Sequence, residues 1–225
     1  VPNAVARVGE AVAVDVDGIA DHEHHRPFAE HRVGHLLAEV DAAIDRLFQW
    51  AGWAVLYGGT VQTVAQTSMQ VTGAYKPIGV IGIRAPDHHP LLGLIDTIAP
   101  ALAMGNAVVV VAGKYGLTAM TLVEIVQNSD VPPGVLNILT AEDPDKIACN
   151  LANHGEVDAV WTFSEDASAR ADVECAAANS NLKRVWSRAY GKGLVQGSPA
   201  FSDLDPLEYL RQATQVENTW VPTGA

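Results

Sequence analysis

Apolar positions in residues 27–56 recur at spacings of three and four, which predicts a long amphipathic helix. The apolar stripe consists of Leu36, Val40, Ile44, Leu47 and Trp50. Gly58 and Gly59 follow, and glycine is typical of a helix C-terminus. Residues 60–75 then change to a period near two and are rich in Thr, Val and Gln. This second pattern predicts a pair of strands with two partly exposed faces.

Short apolar runs alternate with helical patterns through the middle of the chain. Strands are predicted at residues 78–83, 107–111, 135–139 and 159–163. Helices are predicted at residues 91–102, 119–126, 144–153 and 167–180. Continuous apolar strands that alternate with helices are typical of a parallel sheet covered on both faces. The predicted fold class is therefore α/β, with a doubly wound, Rossmann-like parallel sheet.

The C-terminal part of the chain departs from this alternation of strands and helices. Residues 193–206 are rich in Gly, Ser, Pro and Asp, which predicts a loop. Residues 207–213 have a helical pattern, and residues 215–221 form an extended tail. Cys175 falls within a predicted helix and is interpreted as a small core residue.

Charge and composition restrict the partners. The chain has 14 Lys and Arg against 26 Asp and Glu, a formal net charge of −12. A negative field of this size repels phosphate backbones and anionic lipid heads, so we expect neither nucleic acid nor a membrane as partner. The two cysteines cannot form a disulfide framework, which favours a reducing, cytoplasmic location. Because the sequence opens on Val1, we expect a piece of a longer polypeptide.

Several motifs occur in the order found in one superfamily. They are KPIGVIG at 76–82, PLL at 90–92, APALAMGN at 99–106, VPPGVLNI at 131–138 and SNLKRV at 180–185. Together with WAGWA at 50–54 and ATQVENTWV at 213–221, they resemble the aldehyde dehydrogenase superfamily. The resemblance runs from about residue 35 to the end, and it is greatest to the degenerate C-terminal module of the two-module family-sixteen enzymes.

The resemblance implies two structural units. Residues 1–59 and 76–211 correspond to a degenerate NAD-binding domain, and residues 60–75 and 212–225 to a small β oligomerisation flap. Such a flap implies self-association or docking on an active aldehyde dehydrogenase module. The candidate oligomerisation residues are Thr63, Val64, Thr67, Met69, Val71, Val216, Trp220 and Val221.

Both catalytic side chains that can be matched to the superfamily are replaced. His88 stands where the resemblance places an asparagine that holds the oxyanion, and Arg188 where it places the water-activating glutamate. Only about twenty residues separate Lys192 from the terminal strand, where the superfamily carries a domain with the nucleophilic cysteine. The resemblance implies that this chain has no catalytic residue of its own, whereas its parent protein is expected to be an NAD-dependent aldehyde dehydrogenase.

The cofactor positions differ as well. Val111 replaces a ribose-contacting lysine, and Glu165 replaces a glycine that lets the backbone approach the phosphates. One carboxylate about 4 Å from a phosphate costs roughly 4 kcal/mol at an effective dielectric near 20. We therefore expect no bound cofactor and only a vestigial NAD pocket. The residues of this pocket are Pro86, Val111, Lys114, Glu165, Asp166 and Arg170.

Three functions remain open on the sequence. The first is a non-catalytic pseudoenzyme domain that assembles with, or structurally supports, an active module. The second is an NAD-binding regulatory or sensor domain, suggested by the new cations Lys114 and Arg170. The third is part of an NAD-dependent aldehyde dehydrogenase whose cysteine lies in another module.

Histidines and tryptophans permit further interpretations. A metal site is weighed against a polar lead-in for His22, His24, His25, His31 and His35, and no metal is predicted. His88 and His89 could act as a substitute acid or base, or cap a helix start. Trp161 and Trp186 are interpreted as aromatic bulk that fills the vacated pocket.

Overall fold

The computed structural model describes residues 26–64, 69–189 and 205–222. Its helices are α1 (Arg26–Leu56), α2 (Leu92–Ala103), α3 (Gly116–Gln127), α4 (Pro144–Asn153), α5 (Ala167–Asn179) and α6 (Pro206–Ala213). Its strands are β1 (Thr60–Val64), β2 (Met69–Pro77), β3 (Val80–Arg84), β4 (Ala107–Val111), β5 (Leu136–Leu139), β6 (Ala159–Thr162), β7 (Arg184–Ser187) and β8 (Thr214–Pro222).

Five strands form a parallel sheet in the order β5-β4-β3-β6-β7. The chain winds outward from β3 through β4 to β5, then returns to the other side of β3 to add β6 and β7. The direction of winding therefore reverses between β3 and β6. The predicted doubly wound α/β fold is confirmed. β7 lies in a segment for which the sequence pattern gave no separate strand.

Two cores cover the two faces of this sheet. The larger core contains Ile83 and Trp161, which are register partners on β3 and β6, and it packs under α1, α2 and α6. The smaller core joins the opposite face to α4 and α5 through Ala152, Val160 and Val173. Small residues on α4 and α5 let these two helices approach the sheet closely.

An aromatic cluster fills the larger core beneath α6. The cluster consists of Trp50, Trp161, Phe163, Trp186 and Tyr209. The rings of Trp186 and Tyr209 meet edge to face with centroids 4.9 Å apart, and those of Trp161 and Trp186 do so at 5.1 Å. Because alternate strand residues point to opposite faces, Trp161 lies on the face opposite Arg84 and Thr162. The two tryptophans thus fill a core between the sheet and its helices, and the prediction that they fill the vacated pocket was wrong.

The flap segments assemble into a separate antiparallel sheet in the order β1-β2-β8. β2 is central, and its full length from Met69 to Pro77 pairs with β8. The rings of Tyr57 and Tyr75 stack with centroids 4.2 Å apart, which fixes the sheet against the end of α1. The predicted pairing of strands within residues 60–75 is confirmed, and the C-terminal strand completes the same sheet.

Asn106 connects this small sheet to the large one. Its Oδ1 accepts hydrogen bonds from Ile78 N at 2.7 Å and Gly79 N at 3.1 Å, where β2 leads into β3. Its Nδ2 donates to Ala101 O at 2.9 Å and Ala213 O at 2.8 Å, immediately before β8 begins. One buried amide therefore holds two of the three chain segments that connect to the flap, those after β2 and before β8.

Two details of the helix predictions were wrong. Leu47 is 47% exposed, whereas Ala43 is buried on α1 at 3% exposure. Cys175 is exposed, since Val173 and Ala177 are the residues of α5 that face the sheet. Among the described residues, no helix is long and apolar enough to cross a membrane.

Candidate functional site

The candidate site is the edge of the parallel sheet where β3, β4 and β6 end. Ligands of doubly wound sheets bind outside the carboxyl ends of the strands, where the winding direction reverses. Here that point lies between β3 and β6. Of the residues predicted to form a vestigial pocket, Pro86, Lys114 and Glu165 lie in the loops after these strands, so the structure brings them to one edge.

A buried arginine lies at the centre of this edge. Arg84 is the last residue of β3 and is 1% exposed. Its Nε is 2.8 Å from Asp145 Oδ1 in the first turn of α4, and its Nη2 is 3.2 Å from both carboxylate oxygens of Asp87. Its Nη1 donates to the carbonyl of Ala85. Each of the three guanidinium nitrogens therefore has an acceptor from the chain itself.

The charges of Arg84 and Asp87 stabilise each other's ionised forms. Burial lowers the pKa of Arg84, but the hydrogen bonds and charges of Asp145 and Asp87 outweigh it, so the net shift is upward. Burial raises the pKa of Asp87, but Arg84 and then Lys114 outweigh it, so the net shift is downward. Both groups remain charged throughout the physiological pH range.

Asp87 also links the loop after β3 to the loop after β4. Its Oδ1 accepts a hydrogen bond from Lys114 N at 3.0 Å, and Oδ2 lies 3.8 Å from Lys114 Nζ. A Cβ on Gly113 would come within 2.7 Å of Pro86 O, so a side chain has no room there. Val111 is fully buried, whereas the Lys114 side chain is 75% exposed.

A side-chain contact crosses the point where the winding reverses. His88 Nε2, in the β3 loop, lies 2.6 Å from Glu165 Oε1, in the β6 loop. Both side chains are exposed. His89, the next residue, has a left-handed backbone with φ of 53°. His88 therefore faces a carboxylate from the opposite loop rather than capping the start of α2.

The start of α5 is satisfied by its own side chains. Asp166 is the N-cap residue and accepts a hydrogen bond from Ser168 N at 2.8 Å. Arg170 Nη1 donates to Ser164 O at 2.6 Å and Glu165 O at 3.0 Å, so it holds the loop backbone. At α4 the corresponding cap is Asp143, which accepts from Lys146 N.

The remaining reactive side chains lie away from this edge or lack a partner suited to catalysis. Arg188 Nη1 is 2.5 Å from Glu208 Oε2 in the first turn of α6. Cys149 lies half-buried on α4, and burial, followed by the charges of nearby aspartates, raises the pKa of its thiol. A raised pKa keeps a thiol protonated and weakly nucleophilic.

The flap residues fall on two distinct faces. Direct partners in an antiparallel pair share a face, and the register pairs Val71 with Trp220 and Tyr75 with Val216. We call these four residues the apolar flap face. Val216 is 59% exposed and Trp220 is 58% exposed.

The opposite flap face is polar, and part of the predicted set is not described. That face carries the Lys76–Glu217 ion pair at 3.7 Å, and Val221 lies on it, paired with Gln70. For Thr63 and Val64 the structure describes only the backbone, which pairs with Gln70 and Met69. Thr67 lies outside the described residues.

The histidine-rich segment lies largely outside the described residues. His22, His24 and His25 are not described, and His31 and His35 are described only as backbone of α1. Among the side chains that the structure does describe, no group of three or more His, Cys, Asp or Glu is placed to hold a metal ion.

Comparison with known proteins identifies the family. The model of the aldehyde dehydrogenase family matches residues 29–195, which is more than half of the chain. The chain belongs to the aldehyde dehydrogenase family. Human mitochondrial aldehyde dehydrogenase is 35% identical over 157 residues, which cover 69% of this chain and 30% of that protein. Cytosolic aldehyde dehydrogenase 1 of Elephantulus edwardii is 35% identical over 150 residues, covering 66% of this chain and 29% of that one.

Solved structures agree with this assignment. PnpE from Pseudomonas sp. WBC-3 superposes with a TM-score of 0.62 and 29% identity, covering 69% of this chain and 31% of that one. Gamma-glutamyl-gamma-aminobutyraldehyde dehydrogenase from Burkholderia cenocepacia gives 0.62 and 29%, covering 68% and 31%. The chain spans about a third of the length of the curated relatives that it matches. The finer resemblance to a degenerate C-terminal module stays a prediction.

The sequence interpretation missed the two residues that dominate the edge. Arg84 and Asp145 were not among the predicted site residues. The available signal was an arginine at the end of an otherwise apolar strand, because a buried arginine requires a carboxylate partner. Nothing in the local pattern identified Asp145 as that partner, 61 residues away.

Proposed function

We propose that this chain is a non-catalytic, aldehyde dehydrogenase-like domain that assembles with itself or with an active aldehyde dehydrogenase module. The observation that carries the proposal is the apolar flap face, in which Val71 is buried but the two residues on β8 are exposed. Val216 and Trp220 are more than half exposed on a sheet whose other face is polar. Apolar surface of this kind marks interaction sites on soluble proteins.

The outer strand of the flap adds a second means of contact. β8 is nine residues long, and within the described part of the chain it pairs with β2 on one side only. A long edge strand presents unpaired N–H and C=O groups, and it is prone to aggregation unless a partner covers it. A partner that adds a strand to β8 would satisfy these groups and cover Trp220 together.

The sheet edge supports a non-catalytic role. The residues at the carboxyl edge do not fit the NAD that the family implies. Asp143 and Asp166 cap the starts of α4 and α5, and each guanidinium nitrogen of the buried Arg84 already has an acceptor from the chain itself. Phosphates brought to this edge would have to displace the Asp87 carboxylate from Arg84 and Lys114, and they would approach the like charge of Glu165.

Light scattering after size-exclusion chromatography tests the assembly. We expect the wild-type chain to run as a dimer or larger species, and to co-elute with an active aldehyde dehydrogenase of the family if that is its partner. The double variant Val216→Ser and Trp220→Ser should shift the chain toward monomer. Leu117→Ser removes a comparably exposed apolar side chain from α3 and should leave assembly unchanged.

Two results would refute the proposal. One is a wild-type chain that stays monomeric at high concentration and does not bind an active module. The other is aldehyde-dependent reduction of NAD by the purified chain alone, followed by absorbance.

A further inference from the structure

The carboxyl edge contains two cations and two carboxylates in an arrangement that is neutral as a whole. Arg84 is fully buried and contacts Asp145 and Asp87, while Lys114 approaches Asp87 from the β4 loop. We call these four residues the edge network. Its charges cancel between residues of the same chain, so no external ion is needed for balance.

The edge network lies where a doubly wound sheet receives a ligand's phosphates. Such phosphates lie outside the strand ends beside a helix N-terminus, held by backbone N–H groups and cations. Asp145 is in the first turn of α4, and Asp87 accepts a hydrogen bond from the backbone N–H of Lys114. The two carboxylates therefore make the kinds of contact that a diphosphate would make, and they make them from within the chain.

We propose that Asp87 and Asp145 act as an internal replacement for a diphosphate, so that the module's own side chains close this edge to dinucleotides. Arg84 is then a residual anion-binding group that is permanently occupied. The inference rests on the proposed non-catalytic function, and it adds a cause for the loss of the cofactor site. It also explains why a cation can be buried at the strand end without a ligand.

Removal of the two negative charges tests this replacement. In the double variant Asp87→Asn and Asp145→Asn, each amide keeps an oxygen that accepts from Arg84, but the guanidinium loses its counter-charges. We expect inorganic pyrophosphate to bind this variant at least roughly tenfold more tightly than wild type, by calorimetry at low ionic strength. Adding Arg84→Met to the double variant should abolish the gain.

The matched control separates a local effect from net charge. Asp130→Asn with Glu156→Gln removes two exposed carboxylates at the opposite, amino-terminal edge of the sheet. This control changes the net charge equally, and it should leave pyrophosphate affinity at the wild-type level. Circular dichroism and thermal melting establish that each variant is folded. If the double variant does not fold, the single change Asp145→Asn, at a more exposed carboxylate, is measured instead.

Each outcome decides the inference. Weak or no binding of pyrophosphate and NAD to wild type, together with a gain that depends on Arg84, supports it. Saturable micromolar binding of NAD to wild type overturns it, as does a folded charge-removal variant without any gain. A chain that assembles through its flap but binds NAD would sink this inference alone, and a chain that binds no NAD and never assembles would sink the proposed function alone.

Discussion

Replacement of Asn106 by alanine is the most informative perturbation of the fold. The side chain is 2% exposed and makes four hydrogen bonds to backbone groups of three chain segments. Ala101 O keeps a hydrogen bond from Asn106 N, at 3.2 Å, when the side chain is removed. The N–H groups of Ile78 and Gly79 and the carbonyl of Ala213 each lose the partner that the side chain supplied.

The size of the effect follows from these three groups. An intramolecular hydrogen bond contributes about 1 kcal/mol net, so Asn106→Ala should lower the free energy of unfolding by about 3 kcal/mol. For a chain of this size that corresponds to a fall in Tm of about 6–12 °C. Because the lost bonds hold the connections after β2 and before β8, amide hydrogen exchange should accelerate along β8.

Urea denaturation and hydrogen exchange measure these changes. Asn137→Ala is the matched control, since Asn137 is exposed and donates its side-chain amide to Gly134 O only. It should cost less than about 1 kcal/mol. If Asn106→Ala proves no more destabilising than Asn137→Ala, the assignment of Asn106 as the connection between the sheets is refuted.

Three further predictions concern ionisable and reactive groups. The pKa of Asp87 is lower in the folded state than in the unfolded state. The contribution of Asp87 to the free energy of unfolding is therefore present above about pH 4, and it is lost as the pH falls through the folded pKa. Acid unfolding monitored by circular dichroism should show this loss, and Asp87→Asn should reduce the pH dependence in that range. Cys175 is exposed and should react with a thiol reagent before Cys149, because burial and nearby aspartates raise the pKa of the Cys149 thiol. Mass spectrometry locates the modified cysteine, and faster modification of Cys149 would contradict this order. The hydroxyl of Tyr209 is buried with no hydrogen-bond partner among the described residues. Tyr209→Phe should therefore leave the free energy of unfolding unchanged or raise it by about 1 kcal/mol. A large fall in Tm would contradict this prediction.

Much of the architecture could be predicted from local pattern. A continuous apolar run such as residues 107–111 specifies a strand buried on both faces, because both alternating sets of side chains need apolar neighbours. The change to a Thr- and Val-rich period of two at residues 60–75 specified the exposed strands of the flap. Burial periodicity is a property of consecutive residues, so the sequence alone carries it.

The candidate site could be located but not described from the sequence. The resemblance placed His88 and Glu165 in the loops of one pocket, yet their side-chain contact depends on β6 returning beside β3. The contact between Arg84 and Asp145 also depends on the tertiary structure, because it requires α4 to lie on the face of the sheet opposite α2. Pairing of charges is set by distance in space, and the order of strands fixes that distance.

The sequence by itself determined the α/β class and the strands of the flap. Only the tertiary structure decided that Leu47 is exposed, that the tryptophans fill the core under α6, and that Asn106 joins the two sheets. The physical reason is that hydrophobic periodicity states which face of an element is buried. The identity of its neighbours depends on how distant segments pack, which no local window contains.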